Sequence, residues 1–308
     1  MVALDIPLSI TGKTQVLGII GDPIAHSLSP PMQNAALRAL GWDGIYVPFP
    51  VRAAAVDTAL AGLWALGVVG FNVTIPHKQA VMAALAEVTP LAQAVGAVNT
   101  VWRQEQGWAG TNTDVLGFVA PLQDWGHEAL VPESSLAGHL PWSQRRAVIL
   151  GNGGAARAAV AGCSQLHCGE IWVVGRDRNK LQSFAESWQD SPLCPTLQVA
   201  SWDQLPALLP ETTLLVNTTP LGMHPREDQS PVSPQDLAQL PSDAIAYDLI
   251  YTPSPTQFLR WATERGLHTI DGVEMLVQQG AAALEIWIHQ PPPIAVMRHA
   301  LKTHLGLA

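Results

Sequence analysis

The apolar run Ala147-Val148-Ile149-Leu150 stops on Gly151-Asn152-Gly153-Gly154-Ala155-Ala156-Arg157. A strand that ends on clustered glycines and restarts as an alanine-rich helix opens a βαβ unit, and the second strand of such a unit runs parallel to the first. The glycines permit a tight turn and let a pyrophosphate approach the backbone. A helix starting near Ala155 would aim its amino end at that phosphate. Ala156 stands where the third glycine of a GxGxxG turn would sit, and alanine is tolerated there. Taken alone, the stretch also fits a tight strand-to-helix turn with no ligand.

The next strand sharpens the reading. It ends Val173-Val174-Gly175-Arg176, followed by Arg178 and Lys180. A site for NAD usually places Asp or Glu here, to bond the ribose 2′-hydroxyl. A carboxylate would repel a 2′-phosphate, whereas guanidinium can clamp one. The stretch therefore favours NADP. The competing reading is a solvated helix start, and Asp177 puts one negative charge among the cations.

The 308 residues favour two domains. Short apolar strands alternate with helical stretches: Val16–Ile20, then Pro30–Leu40 up to Gly41; Ile45–Pro50, then Ala53–Leu66; Gly70–Val73, then a helical Gln79–Ala86. That rhythm predicts an α/β domain with a largely parallel sheet. Val98–Arg103 and Trp108–Gly110 read as a hairpin, with a helix capped at Thr113-Asp114 running to about Leu122. The segment 131–144 reads as a loop. Strands at Leu214–Asn217 and Ala244–Asp248 continue the second half. Helices at Glu274–His289 and Ile294–Leu305 close the chain around Pro291-Pro292-Pro293.

Hydrophobic residues make up 48% and charged residues 13%, so extensive disorder is disfavoured. A net charge of −9 disfavours a nucleic-acid partner or an anionic membrane surface, both of which need a basic face. The chain shows no basic-then-apolar leader and no run of about 20 apolar residues. A soluble, cytoplasmic protein is expected. Cys163, Cys168 and Cys194 match no zinc or CxxC spacing, so no metal is expected and the thiols read as reduced and buried.

Polar stretches recur beside the strands of the first half: Ser27-Leu28-Ser29, Asn72-Val73-Thr74-Ile75-Pro76-His77-Lys78, Gly96-Ala97-Val98-Asn99-Thr100 and Thr111-Asn112-Thr113-Asp114. Ligands of open α/β sheets collect beyond the carboxyl ends of strands. Hydroxyls, amides, an ammonium and a carboxylate would suit a small polyhydroxylated acid.

In this order, these stretches resemble the shikimate dehydrogenase family. So do the opening Gly21–Pro30, the glycine turn at 151–157, Val216-Asn217-Thr218-Thr219-Pro220-Leu221-Gly222-Met223, Tyr247–Pro253 and Met275–Ala281. The resemblance runs from about residue 16 to 300. It implies an N-terminal α/β substrate domain, 1–114 completed by helices in 273–308, and a Rossmann-like doubly wound NADP domain, 115–272. It implies reversible reduction of 3-dehydroshikimate to shikimate with NADPH, on the route to chorismate and the aromatic amino acids. Lys78 and Asp114 would be the catalytic pair. Ser27 and Ser29 would hold the carboxylate with Tyr251 nearby, and Thr74, Asn99 and Gln279 would bond ring hydroxyls. Gly151, Asn152, Gly153, Gly154 and Ala155 would cradle the pyrophosphate. Arg176 and Lys180 would take the 2′-phosphate, and Leu249 and Gly272 would line the nicotinamide, with Thr218 completing the cofactor set. Asn152, Gly175 and Asp177 depart from the family's usual residues, which touches the NADP preference more than the reaction.

Oxidising a secondary alcohol needs a group within hydrogen-bond reach of the leaving proton. Lys78 fits that role with Asp114 orienting it, although Asp114 could share the transfer. Plainer readings stand beside each residue: Ser27, Ser29 and Asp114 as helix caps, Lys78 as a surface lysine, Asn99 and Gln279 as structural amides, Tyr251 as packing, Gly272 as a turn glycine. His26 and His77 read as supporting or surface groups. Two other functions stay open: a quinate/shikimate dehydrogenase using NAD, and a regulator that binds cofactor without turnover. A homodimer is likewise left open.

Overall fold

A computed structural model describes residues 10–127, 140–189, 191, 193 and 197–307. Most of the loop expected at 131–144 lies outside the described residues, as does Cys194. Cys163 and Cys168 are buried free thiols.

The chain forms two compact units. The first comprises residues up to Thr89, Val98–Thr111 and those from Gly280 onward; the second comprises Pro90–Ala97 and Asn112–Gln279. The segment 90–97, expected in the first half, thus falls in the second unit. Side chains of the second unit hold that segment: the Arg157 guanidinium donates to the Val95 carbonyl, and the Ser191 hydroxyl donates to Ala94 O (3.2 Å).

In the first unit the strands are β1 (Gln15–Gly21), β2 (Gly44–Pro50), β3 (Gly70–Val73), β4 (Glu87–Val88), β5 (Thr100–Gln104) and β6 (Gly107–Thr111), ordered β2-β1-β3-β5-β6-β4. β1, β2 and β3 run parallel; β5 is antiparallel to β3 and turns back into β6. Asn72 pairs with Thr100, so the start of β5 lies at the same sheet edge as the end of β3. Helix Ser29–Leu40 opens on two prolines, whose missing N–H groups cost nothing in a first turn, and closes on Gly41 at φ 64°. It packs on helix Ile294–His304 through Met32, Leu37, Met297 and Leu301. The helical expectation at Gln79–Ala86 reduces to a 3-10 turn at Ala80–Ala84. Leu85 is extended, and the chain then pairs Glu87 with Ala109.

In the second unit β7 (Arg146–Leu150), β8 (Glu170–Gly175), β9 (Leu197–Ser201), β10 (Leu214–Asn217), β11 (Ile245–Asp248) and β12 (His268–Ile270) form one parallel sheet, ordered β12-β11-β10-β7-β8-β9. The chain winds outward from β7 to β9, then returns to β10 on the other side of β7. This is the doubly wound arrangement, with its switch point between β7 and β10. Alternation along β7 feeds two cores. Ala147 and Ile149 pack with Phe118, Val173, Val216 and helix Gly154–Gln165; Val148 and Leu150 pack with Val174, Leu215, Leu205 and Phe258. Phe118 stacks on Tyr247 with ring centroids 5.1 Å apart.

Candidate active site

The glycine turn leaves β7 at the switch point. Gly151 sits at φ 105°, a backbone that side chains rarely adopt, and a Cβ there would come within 2.7 Å of the Thr218 hydroxyl. That hydroxyl donates to Leu150 O (2.7 Å), bracing the end of β10 against β7. Gly153 and Gly154 meet nothing within 4 Å of an added Cβ, and no side chain caps the helix that begins at Gly154. Its first N–H groups form a cradle suited to an anion. Gly151→Ala is expected to cost about 1–3 kcal/mol from backbone strain, before the clash with Thr218 adds to it. Denaturant melts of the two proteins would measure the loss, and an unchanged midpoint would contradict it.

Beyond β8, Arg176 and Lys180 are exposed, and so is Arg178, whose guanidinium lies 3.9 Å from Asp203. Asp177 lies between the cations. Its carboxylate caps helix Arg178–Glu186, accepting from Asn179 N (3.0 Å) and Lys180 N (3.1 Å). Its charge stabilises the amino end of that helix. The Asn152 side chain stands beside Gly175, whose added Cβ would lie 3.6 Å from it.

At the ends of β10 and β11, the buried Asp248 carboxylate gathers three donors: Asn217 Nδ2 (3.0 Å), Ile250 N (3.1 Å) and the Thr256 hydroxyl (2.6 Å). This ties the loops after both strands together, including Thr218, Leu249 and Tyr251. Gly272 is more than a turn residue: its N–H donates to Ile250 O (3.2 Å), and a Cβ would lie 2.3 Å from Leu249 O. Tyr251 is half-buried, and burial raises its phenol.

Burial pushes the Asp248 carboxyl up to about 7, against the downward pull of Thr256, Ile250 and Asn217; Asp271 adds a smaller upward push. Between an unfolded value of 3.8 and about 7 the folded chain holds the extra proton. This contribution to stability is thus fully present below about pH 4 and lost progressively as pH rises through 7, on the order of 4 kcal/mol in all. Asp248→Asn removes that slope. A denaturation series across this range should show the wild type falling relative to the variant, and parallel curves would contradict the assignment.

The five first-unit residues lie on segments that leave or enter one end of the sheet. Ser27 and Ser29 follow β1, Thr74 and Lys78 follow β3, and Asn99 precedes β5, its carbonyl accepting from Val73 N (2.8 Å). Ser27 Oγ accepts from Ser29 N at 3.3 Å, yet no side chain caps the helix, whose N-cap is Leu28. The cap reading for the serines is thus replaced by a local turn. Ser29 is buried beside Tyr46, whose phenol donates to Asn72 Oδ1 (2.7 Å); burial raises that phenol, with Ser29 opposing. The Asn72 amide in turn donates to Asn99 O (3.1 Å) and Thr100 Oγ1 (3.2 Å).

Asp114, Tyr251 and Gln279 belong to the second unit. At the helix start expected to be capped by Thr113-Asp114, Asn112 acts as a cap. Its Oδ1 accepts from Asp114 N (3.0 Å) and Val115 N (3.4 Å), and its Nδ2 donates to Ala97 O (2.9 Å). One buried amide thus fixes the start of the helix that carries Asp114. The signal was available: Asn two residues before a helix start is a frequent cap. Gln279, buried on helix Gly272–Ile288, donates to Leu276 O (2.9 Å). Among the described residues no cluster of three metal-binding side chains occurs.

Comparison with known proteins now bears on this geometry. Residues 19–101 match the model of the shikimate dehydrogenase substrate binding domain, and 272–302 match that of the shikimate 5′-dehydrogenase C-terminal domain. Over 299 residues the chain is 56% identical to shikimate dehydrogenase (NADP(+)) of Trichormus variabilis, covering 97% of this chain and 99% of that one. The chain belongs to the shikimate dehydrogenase family. Solved shikimate dehydrogenases share the fold. One in complex with NADP+ superposes with a TM-score of 0.83 at 34% identity, covering 96% of this chain and 98% of the other. The Thermus thermophilus shikimate 5-dehydrogenase in complex with NADP(H) and shikimate gives 0.79 at 32%, covering 94% and 99%. In this shikimate dehydrogenase family member the mixed sheet corresponds to the expected substrate domain and the parallel sheet to the expected Rossmann-like domain.

Proposed function

We propose that this chain interconverts shikimate and 3-dehydroshikimate with NADP(H). The observation that carries the reading is the likeness, over 97% of the chain, to a relative named for this activity. The cofactor turn fits the group: a Cβ at Gly153 or Gly154 would occupy open space, and exposed Arg176 and Lys180 stand at the end of β8 where an acid would favour NAD.

When bound, the nicotinamide accepts or returns the hydride. The chain's own residues handle the rest. Lys78 takes the hydroxyl proton in oxidation; as ammonium it polarises the carbonyl and returns the proton in reduction. Asp114 orients Lys78 and holds its charge. Ser27, Ser29 and Tyr251 bind the carboxylate, and Thr74, Asn99 and Gln279 bond ring hydroxyls. Gly151 to Ala155 would cradle the pyrophosphate; the Gly151 N–H itself donates to Val174 O (2.8 Å), so the later N–H groups of the turn would face the phosphates. Leu249 and Gly272 shape the nicotinamide wall, with Thr218 bracing the turn.

An equilibrium titration tests the cofactor half: NADP+ should bind more tightly than NAD+, and equal affinities would contradict it. Assignment to the cytoplasm, and a homodimer, accompany this proposal as separate questions for fractionation and light scattering. No described helix is long and apolar enough to cross a membrane.

A further inference from the structure

His77 precedes the proposed catalytic lysine and has no part in the chemistry above. It is nonetheless 1% exposed, with Nε2 2.6 Å from the Val51 carbonyl oxygen. A carbonyl only accepts, so Nε2 carries the proton and donates. Val51 follows the end of β2, and its own N–H donates to Gly21 O at the end of β1 (3.1 Å).

The turn from Thr74 to Lys78 belongs to no strand or helix. Main-chain bonds hold the turn at its ends and within it, where His77 N donates to Thr74 O (2.9 Å) and Val81 N to His77 O (3.0 Å). Thr74 N donates to Ile20 O (3.0 Å), Asp22 N to Ile75 O (3.0 Å) and Val98 N to Lys78 O (2.8 Å). At Gly21 a Cβ would lie 2.5 Å from Thr74 Cγ2, so the turn sits directly on β1. Between those ends Ile75 is 73% exposed, and His77 crosses to the end of β2.

We propose that His77 is the positioning residue for Lys78: by donating to Val51 O it fixes the turn from which the lysine reaches the substrate. This rests on the proposed dehydrogenase activity. A long, unbranched side chain presents its terminal atom reproducibly only if its own backbone is fixed. Displacements of about 1 Å at a reacting group can cost about 10²-fold in rate.

The test compares His77→Leu, which keeps an apolar side chain but removes the donor, with His77→Gln, whose amide nitrogen can reach the same carbonyl. His77→Leu should lower kcat by about 10-fold or more, leaving the NADP+ dissociation constant within about 2-fold. His77→Gln should recover kcat to within about 3-fold of wild type. Thermal melts set a temperature at which each variant is folded. If His77→Leu does not fold, His77→Asn, too short to reach Val51 O, replaces it and should show the same loss of kcat. A donor-less variant that is folded and turns over at the wild-type rate overturns the role, as does a folded His77→Gln no better than His77→Leu. A wild-type chain with no turnover of shikimate overturns the dehydrogenase reading instead.

Discussion

Lys78→Ala is expected to lower kcat by at least about 10²–10⁴-fold while NADP+ affinity stays within about 2-fold. The reason is the division of the chain. The lysine follows β3 in the first unit, whereas the glycine turn, Arg176 and Lys180 belong to the second. Removing the amine takes away the group proposed to accept the hydroxyl proton and touches none of the second unit's phosphate donors. Single-turnover rates and an NADP+ titration on the same preparation check both halves. Wild-type turnover in the variant would remove Lys78 from the mechanism. Asp114→Asn should also impair turnover, and the double variant should lose little beyond the worse single one, because groups that act as a unit are not additive.

Arg176→Asp is expected to raise the KM for NADP+ by about 10- to 100-fold and to narrow the gap between NADP+ and NAD+. A charge-assisted hydrogen bond to a phosphate contributes about 1.5–3 kcal/mol, and a carboxylate in its place adds repulsion. The Asp177 carboxylate is turned to the helix end, accepting the N–H groups of Asn179 and Lys180. Lys180→Ala should have a smaller effect of the same sign, since an ammonium offers a point charge rather than a fork. Both effects should shrink at high salt. Initial rates over a range of each cofactor give the comparison, and an unchanged NADP+ preference in Arg176→Asp would place the 2′-phosphate elsewhere.

Strong periodic or punctuated segments were legible in the sequence, and weak ones were not. The strand before Gly151 and the helix after it are plain because glycine cannot serve as well in the interior of either element. Gly41 marked a helix end for the same reason. β9 and β12 escaped. Leu197–Ser201 alternates only loosely, and His268–Ile270 is three residues long; edge strands this short carry little pattern of their own. Helix Gln257–Glu264 escaped too, although Thr256 caps it by accepting from Leu259 N (3.3 Å). At the site, residue types were readable and their partners were not. Asn112 lay inside a quoted motif, but its hold on Ala97 spans fifteen residues of sequence. His77 reads in sequence as a supporting or surface group without a visible partner, because Val51 lies 26 residues away. Asp177 looked like a liability because a cap bond depends on where a helix begins.

Turnover by this chain would move a hydride between the shikimate ring and a 2′-phosphorylated nicotinamide. The most direct measurement follows the reduced-nicotinamide absorbance band with purified protein, offering shikimate or quinate against NADP+ or NAD+. Rapid growth of the band is expected with shikimate and NADP+, and much slower growth in the other three combinations. Faster reduction of NAD+ than of NADP+, or no growth with shikimate and either cofactor, would contradict it.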